Sequence, residues 1–183
     1  LWEKLGFTPD EYATVTTDLN MKEWKEPEQF HSKRIEPAVE LDFNAIKQIL
    51  MDDGEEGMAE LFQNQYSTTI QPDRVVLTLK DKATDQIAGI AYYRVTTYRK
   101  DASTKSLQVI GFGMHIRPQF QVHHKEIRRF VQGCLLSMKQ LQVNNVITHL
   151  ILKNFAVFAA MVAEGFHNRG LEKANTLRMY KSV

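Results

Sequence analysis

His115 is the side chain in this sequence best suited to proton transfer near neutrality, because histidine changes charge between pH 5 and 8. It lies near the end of the apolar run Val109-Ile110-Gly111-Phe112-Gly113-Met114-His115-Ile116, which Pro118 stops. A polar turn follows, Gln121-Val122-His123-His124-Lys125-Glu126, and then a strongly periodic helix. The first turn of such a helix offers unpaired N–H groups and a partial positive charge, which suit a phosphate. Lys125, Arg128 and Arg129 add full positive charges, His123 and His124 stand beside them, and Glu126 opposes them.

Other reactive side chains are weaker candidates. Tyr92 and Tyr93 are adjacent on a strand, so one faces each side of the sheet. One of the pair can position an acceptor, and Tyr93 is carried as a catalytic candidate. Tyr180 is an alternative acid if the last strand borders the site. Cys134, the one cysteine, falls on an apolar helix face and reads as core. A single cysteine excludes a disulfide within the chain and a zinc site built on cysteines. Neighbouring histidines on a turn seldom converge on one ion, so no metal is expected at His123 and His124.

The elements that must position these groups follow from pattern. An edge strand is expected over 34–41, with Pro37 in it. Helical spacing links Phe43, Ile46, Ile49 and Leu50, and Asp52-Asp53-Gly54 ends that helix. A second helix carries Met58, Leu61 and Phe62. A hairpin joins 75–79 to 87–97 through the polar turn 80–85. Gly111 and Gly113 inside the strand 107–117 suggest a bulge or a close backbone approach. Ile127, Phe130, Val131, Cys134, Leu135, Met138 and Leu141 share one face of the long helix. A buried-type strand at 146–152, a helix at 155–164 capped by Gly165 and a final strand at 176–180 complete a mixed α/β pattern.

From Gly111 to Phe166 the order of strand, turn, amphipathic helix, strand, Asn154, apolar helix and Gly165-Phe166 resembles the core of the GNAT (N-acetyltransferase) superfamily. The resemblance covers 34–183 as one GNAT-like domain. It implies a mixed, partly splayed β-sheet flanked by helices, and acyl transfer from acetyl-coenzyme A or another acyl-CoA to an amine, small molecule or protein, by direct attack. It implies that Met114, His115 and Ile116 contact the pantetheine and carbonyl through the backbone. Gln121, Val122, His123, His124, Lys125 and Glu126, with Arg128 and Arg129, shape the phosphate site, and Asn154 contacts the cofactor from the other side. Three features depart from the family pattern. The phosphate turn lacks glycine, Met161 stands where many members carry a thiolate-protonating Tyr, and the strand before the turn has no carboxylate. The alternative reading is therefore a non-catalytic GNAT-fold interaction or regulatory module without cofactor binding.

Residues 1–33 read as an N-terminal extension. Leu5-Gly6-Phe7 followed by Leu19-Asn20-Met21-Lys22 is also similar to Gly165-Phe166 followed by Met179-Tyr180-Lys181, as if the tail of a preceding GNAT-like domain were present. With 183 residues, 43% hydrophobic and 25% charged, the chain can bury about 70% of its unfolded surface. A net charge of +1 gives no electrostatic argument for nucleic acid. The apolar run 155–163 is shorter than the ~20 residues that span a bilayer. The N-terminus has no signal pattern, so a cytoplasmic location is expected. A homodimer is compatible with the sequence.

Overall fold

Two sets of apolar side chains, alternating along the central strands, decide this architecture. The computed structural model describes residues 7–9, 14–30, 34–39, 42–66, 73–99, 105–151, 154–168 and 179–181. In chain order the elements are β1 (Phe7–Pro9), β2 (Thr14–Asn20), β3 (Ile35–Pro37), α1 (Phe43–Asp52), α2 (Glu56–Tyr66), β4 (Arg74–Lys80), β5 (Ile87–Arg99), β6 (Lys105–Ile116), a 3-10 turn (Pro118–Phe120), α3 (His124–Gln140), β7 (Asn145–Ile151), α4 (Phe155–Ala163), β8 (His167–Asn168) and β9 (Met179–Lys181). Seven strands form one sheet in the order β3-β4-β5-β6-β7-β2-β8. The β6–β7 pair is parallel and its other pairs are antiparallel. Among the described residues, no helix is long and apolar enough to cross a membrane.

Helix α3 covers one face. Ile127, Phe130, Val131, Cys134, Leu135 and Met138 are buried there with Tyr93, Val109, Phe112 and Met114 beneath them. The other face carries α1 and α2, whose Ile46, Ile49, Leu50 and Phe62 pack on Val76, Ile90 and Tyr92. Leu141, expected on the buried face of the long helix, is exposed, and so is Leu61 of α2. Leu61 turns to solvent on α2, and Leu141 caps α3 beyond its last buried turn.

Residues 14–24 are not an appendage. β2 pairs with β7 along its whole length, and Leu19, Met21 and Trp24 enter the main core. The weak period of this stretch hid a strand whose alternating Thr17 and Leu19 are buried. The expected final strand also differs. Residues 176–178 lie outside the described residues, and β9 pairs with β1, not with the seven-stranded sheet.

Tyr93 is fully buried, with its hydroxyl 2.8 Å from Ser137 Oγ on α3. Burial pushes the hydroxyls of Tyr93 and Tyr92 well above the usual tyrosine range. In the unfolded chain each ionises near pH ~10. The native state thus keeps protons that the unfolded chain has lost, and stability falls as pH rises above that value. The expected slope is up to about 1.4 kcal/mol per pH unit for each tyrosine. Urea titrations from about pH 9 to 11 should show this loss, with a shallower slope in Tyr93→Phe. An identical slope in that variant contradicts the assignment.

Candidate active site

The cleft begins where β6 and β7 part. Their parallel pairing is confined to Gln108↔Asn145 and Val109↔Val146, although β6 continues to Ile116 and β7 to Ile151. At the parting, Gly111 takes φ +61°, and the β5–β6 register steps from Arg94↔Ile110 to Tyr92↔Gly113. Tyr93 alone therefore faces two residues of β6, a bulge that glycine permits in the left-handed region. The extra residue reverses which side chains face which helix layer. Val109 and Phe112 both point to the α3 core, and His115 is delivered to the opposite side, next to Tyr92.

Past the bulge, side chains replace the missing backbone ladder. The Thr148 hydroxyl donates to the Phe112 carbonyl. Asn154 Nδ2 donates to the Met114 carbonyl at 3.2 Å. Asn154 is the N-cap residue of α4, yet its side chain makes no capping bond. Its Oδ1 is buried and has no hydrogen-bond partner. The resulting cleft, about 500 Å³ of empty space including its open mouth, is lined by Asp53, Glu55, Tyr92, His115, His149 and Asn154, among others.

Within it three side chains form a line. Asp53 Oδ2 lies 2.5 Å from His115 Nδ1, and His115 Nε2 lies 3.2 Å from the Tyr92 hydroxyl. A carboxylate can only accept, so Nδ1 carries the proton, and Tyr92 donates to a basic Nε2. Asp53 is held by the way α1 ends. Gly54 at φ +80° follows it, with Gly54 N–H on the Met51 carbonyl and Glu55 N–H on the Leu50 carbonyl. This double bond pattern is a glycine-terminated helix stop. Gly113 seats the tyrosine. A Cβ there would lie 2.3 Å from the Tyr92 ring, so a side chain at this position would displace it. Phe62 and Tyr66 hold the ring from the other side, at centroid distances of 5.2 and 5.0 Å.

The start of α3 is the second part of the site. Gln121 Nε2 donates to the Ile116 carbonyl and fixes the turn. Val122, His123, His124, Lys125 and Arg129 are exposed there. Glu126 is ion-paired with Arg34, which offsets its charge. Arg128 is engaged elsewhere: its Nε donates to Glu164 Oε1 at 2.7 Å. The buried Glu164 carboxylate also accepts from Gln132 and from the Trp24 indole, both at 2.9 Å. That cluster ties α3 to the end of α4. Gly165 finishes α4 at φ +94°, in the capping role read from the sequence.

Of the residues singled out in the sequence, His115, Met114 and Asn154 meet in the cleft. Ile116 is buried below it. Tyr93 is a correction: strand alternation turns it into the α3 core, and Tyr92 is the tyrosine that reaches His115. Tyr180 pairs opposite Thr8, outside the sheet that carries the cleft, and its side chain lies outside the described residues. Met161 is core. Asp53 and Glu55 do not stand out in the sequence, where Asp52-Asp53-Gly54 reads as a helix stop. The signal was an acidic residue at a helix C-terminus, where the dipole disfavours it unless a donor compensates. Among the described residues, no group of three His, Cys, Asp or Glu side chains could hold a metal ion.

No protein-family model matches the chain, and no curated protein matches its sequence. Solved structures do match. A transcriptional regulator from Bacillus halodurans C-125 superposes with a TM-score of 0.58 at 12% identity, over 80% of this chain and 97% of that one. A protein from Novosphingobium aromaticivorans, described as an acetyltransferase of the GNAT family, gives 0.53 at 12% identity over 90% of this chain. The chain has the GNAT fold. Saccharomyces cerevisiae N-myristoyltransferase, solved with myristoyl-CoA, gives 0.54 at 6% identity over 78% of this chain. The chain spans about 63% of the Novosphingobium protein and 43% of the yeast enzyme. The GNAT sheet described here, mixed and open between β6 and β7, is the partly splayed sheet expected from the sequence.

Proposed function

We propose that the protein is an acyl-CoA-dependent N-acyltransferase that works by direct attack of an amine on the thioester. The observation that carries this reading is His115, fixed between Asp53 and Tyr92 in the wall of the cleft. Acyl-CoA suits the groups around it. Asn154 Oδ1 is a buried acceptor without a partner, which a pantetheine amide N–H would satisfy. The first-turn N–H groups of α3, with Lys125 and Arg129, suit the pyrophosphate, and Arg34 removes the repulsion of Glu126. When bound, acyl-CoA supplies an activated acyl carbon and a thiolate leaving group.

The chain's own residues handle the acceptor. Asp53 and Glu55 line the cleft with negative charge, which favours a cationic amine as acceptor. The ammonium first releases one proton to water, so the attacking nitrogen is neutral. Its second proton, lost as the C–N bond forms and the C–S bond breaks, passes to Tyr92 oxygen as the Tyr92 proton moves to His115 Nε2. Asp53 holds the resulting imidazolium, which returns that proton to the departing thiolate. Tyr92 is kept neutral by burial first, and then by the nearby Tyr66, Glu55 and Asp53, so it remains a donor at physiological pH.

Calorimetric titration with acetyl-CoA and with free CoA tests this reading. Micromolar binding is expected. Lys125→Glu combined with Arg129→Glu should weaken it at least about tenfold, with stability changed by less than about 0.5 kcal/mol. No heat at millimolar ligand would leave the non-catalytic GNAT-fold module as the reading.

A further inference from the structure

β2 comes early in the chain but lies in the sheet between β7 and β8, two strands from its C-terminal part. It runs antiparallel to both, with Thr17↔Asn168 and Asp18↔His167 on the β8 side. The strand that does follow β8 is β9, and it pairs with β1 through Phe7↔Lys181, Thr8↔Tyr180 and Pro9↔Met179. The pairing is reciprocal. β1 and β8 are each followed by a second strand, and each second strand lies on the other's first. The sequences agree with this equivalence. In sequence, Gly6-Phe7 precedes Met21-Lys22 by nearly the spacing at which Gly165-Phe166 precedes Met179-Tyr180-Lys181, although β2 stops at Asn20 and β9 comprises Met179–Lys181.

We infer that β1–β2 and β8–β9 are the closing strand pairs of two successive GNAT-fold units, which exchange their second strands. β2 closes the sheet of this unit. β9 closes the sheet of the other, where β1 is the outer strand. On its second edge β9 takes a strand equivalent to β7, completing the order β7-equivalent, β9, β1 that mirrors β7-β2-β8 here. The partner is a GNAT-fold unit N-terminal to β1 in the same polypeptide. A second copy of this chain is a poor occupant, because its β7 already carries β2.

Amide hydrogen exchange by NMR on the complete polypeptide tests the inference. A strand paired on one edge points alternate N–H groups at its partner and the rest outward. With β9 paired on both edges, Met179, Tyr180 and Lys181 should all exchange at least about 100-fold more slowly than unfolded chain. Alternation, with one parity exchanging freely, overturns the proposal. Tyr180→Pro removes a ladder donor. It should lower the melting temperature of the partner unit and leave that of this unit unchanged. A variant in which both transitions stay put, or only this unit's falls, overturns the exchange. Protection that grows with protein concentration overturns the assignment to a single polypeptide.

Discussion

Replacing His115 by Ala is expected to lower kcat/KM for acyl transfer by about 10²- to 10⁴-fold, the range for loss of a positioned acid–base group. Affinity for acyl-CoA should stay within about threefold, because the imidazole is partnered by Asp53 and Tyr92 and not by the phosphate turn. Asp53→Asn separates proton transfer from simple packing. It keeps the shape but no longer anchors an imidazolium, so kcat should fall and the pH profile should move, with KM for acyl-CoA unchanged. Gly113→Ala attacks the same line from the other end, since a Cβ collides with the Tyr92 ring. Thiol release from acetyl-CoA with a cationic amine reads all three. Full activity in His115→Ala would sink the acid–base assignment, even if acyl-CoA binds tightly.

The largest effect on stability is expected at Glu164. Its side chain is 4% exposed and accepts from Trp24, Gln132 and Arg128. Glu164→Ala leaves an indole N–H, an amide and a guanidinium without their acceptor. Removing one member of a buried ion pair costs about 3–5 kcal/mol. The lower end applies here, because Arg128 is half exposed and regains water. Glu164→Gln keeps an acceptor and should lose less, about 1–2 kcal/mol. Urea unfolding followed by fluorescence measures both, since Trp24 is a member of the cluster. A loss below about 1 kcal/mol in Glu164→Ala would show that α3 and α4 are not held together by this carboxylate. The same geometry alters what Arg128 is expected to do. Charge reversal there should cost stability, whereas at Lys125 and Arg129 it should cost cofactor affinity.

Much of the scaffold could be read from local chemistry. The apolar stripe from Ile127 to Met138 specifies α3, and Asp53-Gly54 and Glu164-Gly165 stop α1 and α4. Pro118 ends β6 before the turn that leads into α3. Each of these depends on residues within a turn or two of one another, so the sequence alone suffices. The site was legible only in part. His115 and Asn154 stood out by residue type and position. Which of Tyr92 and Tyr93 is the reactive one is not legible, because two adjacent aromatics on a strand are indistinguishable until the facing of that strand is known.

Facing is a tertiary property here. The bulge at Gly111 shifts the side-chain phase of β6 by one residue, and without it His115 would point into the apolar layer under α3. The glycine announced that a bulge was allowed, but strand pairing decided that one formed. Asp53 meets His115 across a separation of 62 residues, through helix packing on the sheet that no local pattern encodes. β2 enters the sheet between β7 and β8 because strand edges compete for partners by geometry and not by sequence order. The sequence thus determined the helices, where they stop and the central strands, whereas the weak period of β2 left that strand hidden. The tertiary structure decided which faces meet and which strand closes the sheet, because both depend on contacts between segments far apart in the chain.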